Sequence, residues 1–199
     1  MYPSDAEMAS SKAALEYIPD SLKRGDADVL IVQTTLKSAA EQETVLVGDD
    51  TDLLVLLIYH AENVRHNVFF RPEMKRASQK GSRCWNIPAM RALLGSVITD
   101  NILFLHAILG CDTTSGVYGL GKKLSISKIT SDSQFQDQAK VFMSKGSSKD
   151  DIISAGETAL VCLYNGNPQH GINVLRYEKF CMKAATSTVP VQPAALPPT

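Results

Sequence analysis

Three groups of aspartates carry the clearest chemical potential in this sequence. Asp26 and Asp28 stand at the start of a predicted helix, and residues 49–52 (Asp-Asp-Thr-Asp) follow a short apolar strand. Asp112 comes directly after an apolar helix, in the sequence Gly-Cys-Asp. Ligands of parallel α/β sheets bind at the carboxyl ends of strands, and carboxylates gathered there repel one another unless a cation neutralises them. Oxygen ligands of this kind suit Mg²⁺ or Mn²⁺, and paired ions of this class hydrolyse phosphodiesters.

The same aspartates have a simpler interpretation as helix caps. An aspartate placed before a helix accepts hydrogen bonds from the first N–H groups of that helix. Asp26 and Asp50 both stand where a helix is expected to begin. For each group taken alone, capping is the more frequent explanation, so both interpretations stay open at the level of the residues.

Short apolar strands alternate with helical stretches in the first half of the chain, which is typical of an α/β layer fold. Strands are predicted over residues 44–48, 67–70 and 84–87. Helices are predicted over residues 26–42, from Pro88 onward, and over residues 99–109 with Thr99 or Asp100 as the cap. Residues 51–61 are apolar nearly all round, so their period does not separate strand from helix. Their length and their Asp-Thr-Asp start favour a buried helix.

The composition changes after Gly110. A glycine-rich polar loop is followed by predicted helices over residues 123–130, 132–143, 151–163 and 172–185. Residues 186–199 hold four prolines and are predicted to be an extended tail or a linker. The predicted divisions are therefore residues 1–24, helical or poorly ordered; 25–123, the α/β core; 124–185, a helical extension; and 186–199, the Pro-rich tail.

Composition and charge exclude several classes of protein. The chain has 199 residues, of which 44% are apolar, and this is enough to build a core. Its 20 basic and 21 acidic residues give a net charge of −1, which argues against non-specific coating of nucleic acid. The longest apolar run, residues 53–59, is too short to cross a bilayer, and the first residues do not resemble a signal peptide. We therefore expect an intracellular protein, nuclear or cytoplasmic, that is neither secreted nor bound to a membrane.

The cysteines and histidines show no metal-binding pattern in the sequence. The four cysteines lie far apart, without a Cys-x-x-Cys pair or a histidine at finger spacing, which disfavours a zinc site or a disulfide framework. Cys111 lies in an apolar run and is interpreted as a small buried hydrophobic residue. His60 and His106 fall within apolar helical patterns and are interpreted as core or rim histidines. Nothing in the sequence indicates an oligomeric state.

Several of these motifs together resemble the flap-endonuclease family. Gly110-Cys111-Asp112, followed after six residues by Gly119-Leu120-Gly121-Lys122-Lys123, is similar to that family's Gly-x-Asp and Gly-Ile-Gly-Pro-Lys. Residues 47–52 resemble its strand and Asp-x-Asp, and residues 26–28 take the place of its Glu-Ala-Glu. The similarity is closer still to PIN-like animal proteins that carry a Gly-Cys-Asp-Thr-Thr-Ser phrase. It covers residues 26–123, about half of the chain.

The resemblance implies a fold, a cofactor and a partner. The fold would be a PIN-like three-layer α/β domain with a mainly parallel sheet, followed by a helical C-terminal region. The metal-binding catalytic residues would be Asp50, Asp52 and Asp112. Asp26 and Asp28 match the glutamates of the same Mg²⁺ or Mn²⁺ site. The nucleic-acid contacts, with DNA rather than RNA, would come from Gly119, Gly121, Lys122 and Lys123.

The chain also departs from that family. Residues 1–25 show no apolar strand ending in a further aspartate, and no basic arch that would hold the scissile phosphate. The sequence is therefore interpreted as a truncated member, a structure-specific nuclease-like domain acting on DNA or RNA. Two alternatives stay open: a catalytically silent domain that binds nucleic acid or protein, and a non-functional gene fragment.

Overall fold

A small mixed sheet organises the first part of the chain. The structure, a computed structural model, describes residues 27–73, 84–111, 114 and 116–198. Strands β1 (Thr44–Val47) and β2 (Val68–Arg71) are parallel, with Thr44 opposite Val68. Strand β3 (Trp85–Asn86) pairs antiparallel with β2, in the order β1-β2-β3. The α/β class and the three predicted strands are confirmed, but the sheet is mixed rather than mainly parallel.

Three helices build the core on one face of this sheet. They are α1 (Ala27–Ala39), α2 (Thr51–His60) and α3 (Ile87–Leu94). Val32 of α1 and Leu57 of α2 share a buried cluster with Val68 and Phe70 of β2. Side chains alternate between the two faces of a strand, and Val45, on the opposite face from this cluster, is 49% exposed. The segment 51–61, which was ambiguous by period, is a helix as its length and start predicted.

A break at Asn101 divides the helix predicted over residues 99–109. The structure has two helices there, α4 (Ser96–Asp100) and α5 (Ile102–Leu109). Thr99 was predicted as a cap, but it lies inside α4 and its hydroxyl donates to the carbonyls of Gly95 and Ser96. Asp100 is the last residue of α4 and caps nothing. The prediction of one capped helix was therefore wrong, because Thr99 bonds backward into its own turn instead of forward.

The remainder of the described chain is helical. It comprises α6 (Lys122–Ser131), α7 (Ser133–Met143), α8 (Lys149–Leu163) and α9 (Gly171–Thr186). Phe104 of α5 packs against Phe135 of α7, with ring centroids 5.4 Å apart, in a second buried cluster. Helix α5 therefore belongs to the core of this helical part. Among the described helices, none combines the length and the apolar character needed to span a bilayer.

The Pro-rich segment near the end of the described chain packs against α9. Arg176 donates a hydrogen bond to the carbonyl of Pro197, and Lys183 Nζ donates to that of Ala195 at 2.8 Å. Leu196 is buried. The proline content predicted an extended segment. It could not predict these contacts, because they are made by side chains of α9.

The C-terminal end of α2 is bonded to a side chain of α3. The Arg91 guanidinium donates to the carbonyls of Ile58 and Tyr59, the second at 3.0 Å. The last carbonyls of a helix have no partner within the helix, and a cation there also opposes the negative end of the helix dipole. Arg91 therefore ties the end of α2 to α3.

We predict that Arg91→Met lowers the free energy of unfolding by about 1.5–3 kcal/mol, because both carbonyls lose a charged donor. The same substitution at the exposed Arg65 should change it by less than about 0.5 kcal/mol. Urea denaturation of both variants provides the comparison. Equal midpoints for the two variants would show that the α2–α3 bond contributes nothing.

Candidate functional site

The turn from β1 into α2 is tight because residue 48 is a glycine. The Gly48 N–H donates to the carbonyl of Arg71 at 3.1 Å, which extends the pairing of β1 and β2 by one residue. A Cβ at this position would lie 3.0 Å from Leu53 Cδ1, closer than nearly all real contacts. The strand can therefore pass directly over α2, and the aspartates at residues 49–52 lie at the carboxyl end of β1.

Two of these aspartates accept hydrogen bonds from backbone N–H groups. Asp50 is the N-cap of α2, and its Oδ1 accepts from the Asp52 N–H at 2.8 Å. Asp49 Oδ1 accepts from the Glu73 N–H at 2.9 Å, just beyond the end of β2. The cap interpretation of Asp50 is thereby confirmed. Asp49 in turn links the segments that follow the two parallel strands.

Asp52 instead faces α5. Its Oδ1 lies 2.8 Å from His106 Nε2, and the two side chains are only 26% and 15% exposed. The sulfur of Cys111 completes a group in which one donor atom from each residue lies within 4.8 Å of the others. The N-terminus of α2 therefore meets the C-terminal part of α5, and a carboxylate, an imidazole and a thiol come together there.

A short turn after α5 holds Cys111 in this position. Gly110 ends the helix with φ +99°, a conformation that favours glycine. Cys111 and Thr114 exchange backbone hydrogen bonds, each 3.2 Å long. The Thr114 hydroxyl donates to the Ala107 carbonyl at 2.8 Å and accepts from the Cys111 N–H at 3.0 Å. Thr114 is thus a positioning residue for Cys111.

The structure describes three of the five aspartates predicted as metal ligands. Asp50 and Asp52 lie at the start of α2, as described, whereas Asp26 and Asp112 lie outside the described residues. Asp28 is in the first turn of α1. The His66 N–H, in the segment that leads into β2, donates to the carbonyl of Ala39, the last residue of α1. Asp28 is at the other end of α1 from this contact.

His106 and Cys111 are the residues that sequence reasoning missed. His106 was interpreted as a satisfied core or rim histidine, and it is partly buried and hydrogen-bonded; its partner, a carboxylate from another helix, was not predicted. Cys111 was interpreted as buried, and it is only partly buried. The sole signal in the sequence was the closeness of both to Asp112, since nothing local links them to Asp52.

The two glycines predicted to contact nucleic acid differ in backbone conformation. Gly119 has φ +73°, a conformation that favours glycine. Gly121 has φ −113° and is the N-cap of α6, so its conformation is open to other residues. Lys122 and Lys123 are exposed in the first turn of α6. Lys122 and His106 both line an apolar cavity of about 170 Å³ between α5 and α6.

Comparisons with protein-family models, curated proteins and solved structures gave no match to this chain. The nuclease resemblance therefore rests on the sequence motifs alone.

The described donor set does not fit Mg²⁺. Magnesium requires near-octahedral oxygen coordination and keeps several waters, with one or two carboxylates as protein ligands. The cluster supplies one carboxylate, from Asp52, beside an imidazole and a thiol. Mg²⁺ at this point would have to draw its remaining oxygen ligands from outside the cluster.

Two substitutions separate the capping role of Asp50 from any role in metal binding. We predict that Asp50→Ala lowers the free energy of unfolding by about 1 kcal/mol, since α2 loses its side-chain cap. Asp50→Ser keeps an acceptor oxygen and should cost only a few tenths of a kcal/mol, although it removes the carboxylate. Thermal or urea unfolding without metal measures both values. If Asp50→Ser is as unstable as Asp50→Ala, the contribution of Asp50 is not that of a neutral cap.

Proposed function

We propose that this chain is a divalent-metal-dependent, nuclease-like domain of the PIN and flap-endonuclease type, acting on DNA or RNA phosphodiesters. The observation that carries the proposal is the contact between Asp52 Oδ1 and His106 Nε2 at 2.8 Å. It brings the acidic turn at residues 49–52 to the end of α5, beside Cys111, which directly precedes Asp112 in the sequence. Cys111, the described residue next to the third predicted acidic group, therefore lies beside the acidic turn at residues 49–52.

The acidic turn would need a cation to receive a phosphodiester, because its carboxylates repel an anion. Carboxylates at the start of α2 lie beside the positive end of the helix dipole, where a negative charge is favoured. Lys122 lines the same cavity as His106, the residue that bonds Asp52. Lys122 could hold a phosphate oxygen, and a divalent cation held by Asp52 would supply the activation of water. Mg²⁺ or Mn²⁺ is the cofactor that the sequence resemblance implies, and its oxygen ligands beyond Asp52 would have to come from outside the group of Asp52, His106 and Cys111.

The finer fold is part of the same proposal. A PIN-like three-layer domain would need a second layer over the sheet face that carries Val45 and Val47, which are 49% and 43% exposed. An apolar sheet face of this kind is normally covered in α/β proteins. The helices over the opposite face and the parallel β1–α2–β2 unit are compatible with that fold.

Cleavage of single-stranded and flapped oligonucleotides tests the function. We predict cleavage that requires an added divalent cation and that falls at least about 100-fold in Asp52→Asn, since one ligand oxygen of the metal is lost. Asp137→Asn is the matched control, because Asp137 is exposed on α7 and pairs with Lys140 in the same helix. Activity that survives in Asp52→Asn would contradict the proposal.

A domain that binds nucleic acid without cutting it is the second candidate. The observation in its favour is the start of α6, where Gly121 supplies no side-chain cap and two exposed lysines follow. Uncapped N–H groups and the positive end of a helix dipole are suited to binding a phosphate. The apolar cavity and Lys122 would then form a binding surface, and the Asp52–His106 contact would be structural.

We predict that replacing Lys122 and Lys123 with Ala weakens binding to two unrelated DNA duplexes equally. A phosphate-only contact reads no sequence, and the slope of log affinity against log salt should flatten by up to about two. Replacing the exposed Lys145 and Lys149 with Ala is the charge-matched control. An unchanged slope with native-like folding would mean that residues 119–123 are only a turn.

A further inference from the structure

The group formed by Asp52, His106 and Cys111 combines three kinds of donor atom. One carboxylate oxygen, one ring nitrogen and one sulfur lie within 4.8 Å of one another, at partly buried positions. Thiolate and imidazole bind borderline and soft ions such as Zn²⁺, whereas Mg²⁺ and Ca²⁺ take oxygen ligands. The cluster therefore differs in chemistry from the all-aspartate site that the sequence predicts.

We propose that Asp52, His106 and Cys111 form a three-ligand Zn²⁺ site. This proposal rests on the proposed function: it concerns the same site and replaces Mg²⁺ or Mn²⁺ by Zn²⁺. Three protein ligands with the fourth position left to water is the arrangement of catalytic zinc sites, whereas structural sites use four protein ligands. Exposures of 26% for Asp52 and 15% for His106 leave room for that water.

The geometry lies within reach of such a site. Tetrahedral zinc with bonds of about 2.0–2.3 Å places its ligand atoms about 3.3–3.6 Å apart. Asp52 Oδ1 and His106 Nε2, at 2.8 Å, must separate by about half an ångström, and the sulfur must approach from within 4.8 Å. Side-chain rotation supplies movements of this size, while α2 and α5 keep their backbones in place.

Hydrogen bonds hold the backbone of Cys111, the third ligand, in place before any metal binds. Thr114 bonds the Cys111 N–H through its hydroxyl and is itself bonded to the Ala107 carbonyl, so residue 111 is tied to α5. The Thr114 hydroxyl also lies 3.3 Å from the Cys111 sulfur. Polar groups that orient a ligand from outside the coordination shell are a regular feature of protein metal sites.

Binding has a definite proton balance. The Cys111 thiol loses its proton to solvent as its sulfur bonds to zinc. If His106 binds through Nε2, its hydrogen bond to Asp52 breaks and the neutral ring carries its proton on Nδ1. One proton is therefore released from Cys111 for each Zn²⁺ bound to its thiolate.

Co²⁺ is the probe, because it replaces Zn²⁺ and is coloured. The full chain titrated with Co²⁺ should show the visible bands of tetrahedral cobalt, together with a thiolate-to-cobalt charge-transfer band that excess Zn²⁺ removes. The charge-transfer band should disappear in Cys111→Ser, and affinity should fall at least about tenfold in Asp52→Asn and in His106→Gln. The matched controls are Cys181→Ser and His60→Gln, at exposed positions outside the cluster, and both should bind as the unsubstituted chain does.

The outcomes separate this proposal from the proposed function. Absence of the charge-transfer band in the unsubstituted chain, or its persistence in Cys111→Ser, overturns the zinc site. Cleavage in Mg²⁺ or Mn²⁺ together with either result would leave the nuclease function intact and remove only the zinc site. Calorimetry in two buffers of different ionisation enthalpy checks proton release, and circular dichroism establishes that each variant is folded. Should one variant not fold, the charge-transfer band and the remaining variants still decide.

Discussion

Helix α2 is apolar on nearly every side, and most of the structure follows from the need to surround it. Leu53, Val55, Leu57 and Ile58 are all buried, and they point in several directions around the helix. A helix of this kind cannot lie on a surface. The sheet, α1 and α3 cover part of it, and α5 packs along another part. Polar groups on α2 are consequently confined to its two ends.

The two ends of α2 meet this constraint in different ways. At the C-terminal end, Arg91 donates hydrogen bonds to the carbonyls of Ile58 and Tyr59, so these two carbonyls have a charged partner. At the N-terminal end, Asp50 accepts from the Asp52 N–H, while the side chain of Asp52 is turned toward α5. The site is at this end because a helix that is buried along its length can bring reactive groups together only where it begins or ends.

Sequence reasoning found the elements whose signals are local. Strand β1, the N-cap Asp50 and the helices α6 to α9 were predicted from runs of five to fifteen residues, and so was the helical nature of α2. The division between α4 and α5 was missed because Thr99 had two possible partners, and only packing decides between them. The contacts of Ala195 and Pro197 with α9 were missed because they depend on the side chains of Arg176 and Lys183.

The candidate site could be predicted from local sequence signals even less than the fold. Residue spacing detects metal ligands that share one turn or one loop, and Asp52 and His106 are 54 residues apart. The question posed at the sequence level, whether residues 49–52 are caps or ligands, also had no single answer. Asp49 and Asp50 bond to backbone N–H groups, whereas Asp52 reaches the imidazole of another helix. The first two fix the turn that aims the third, so the structural and the chemical roles of this acidic group belong to different residues and depend on one another.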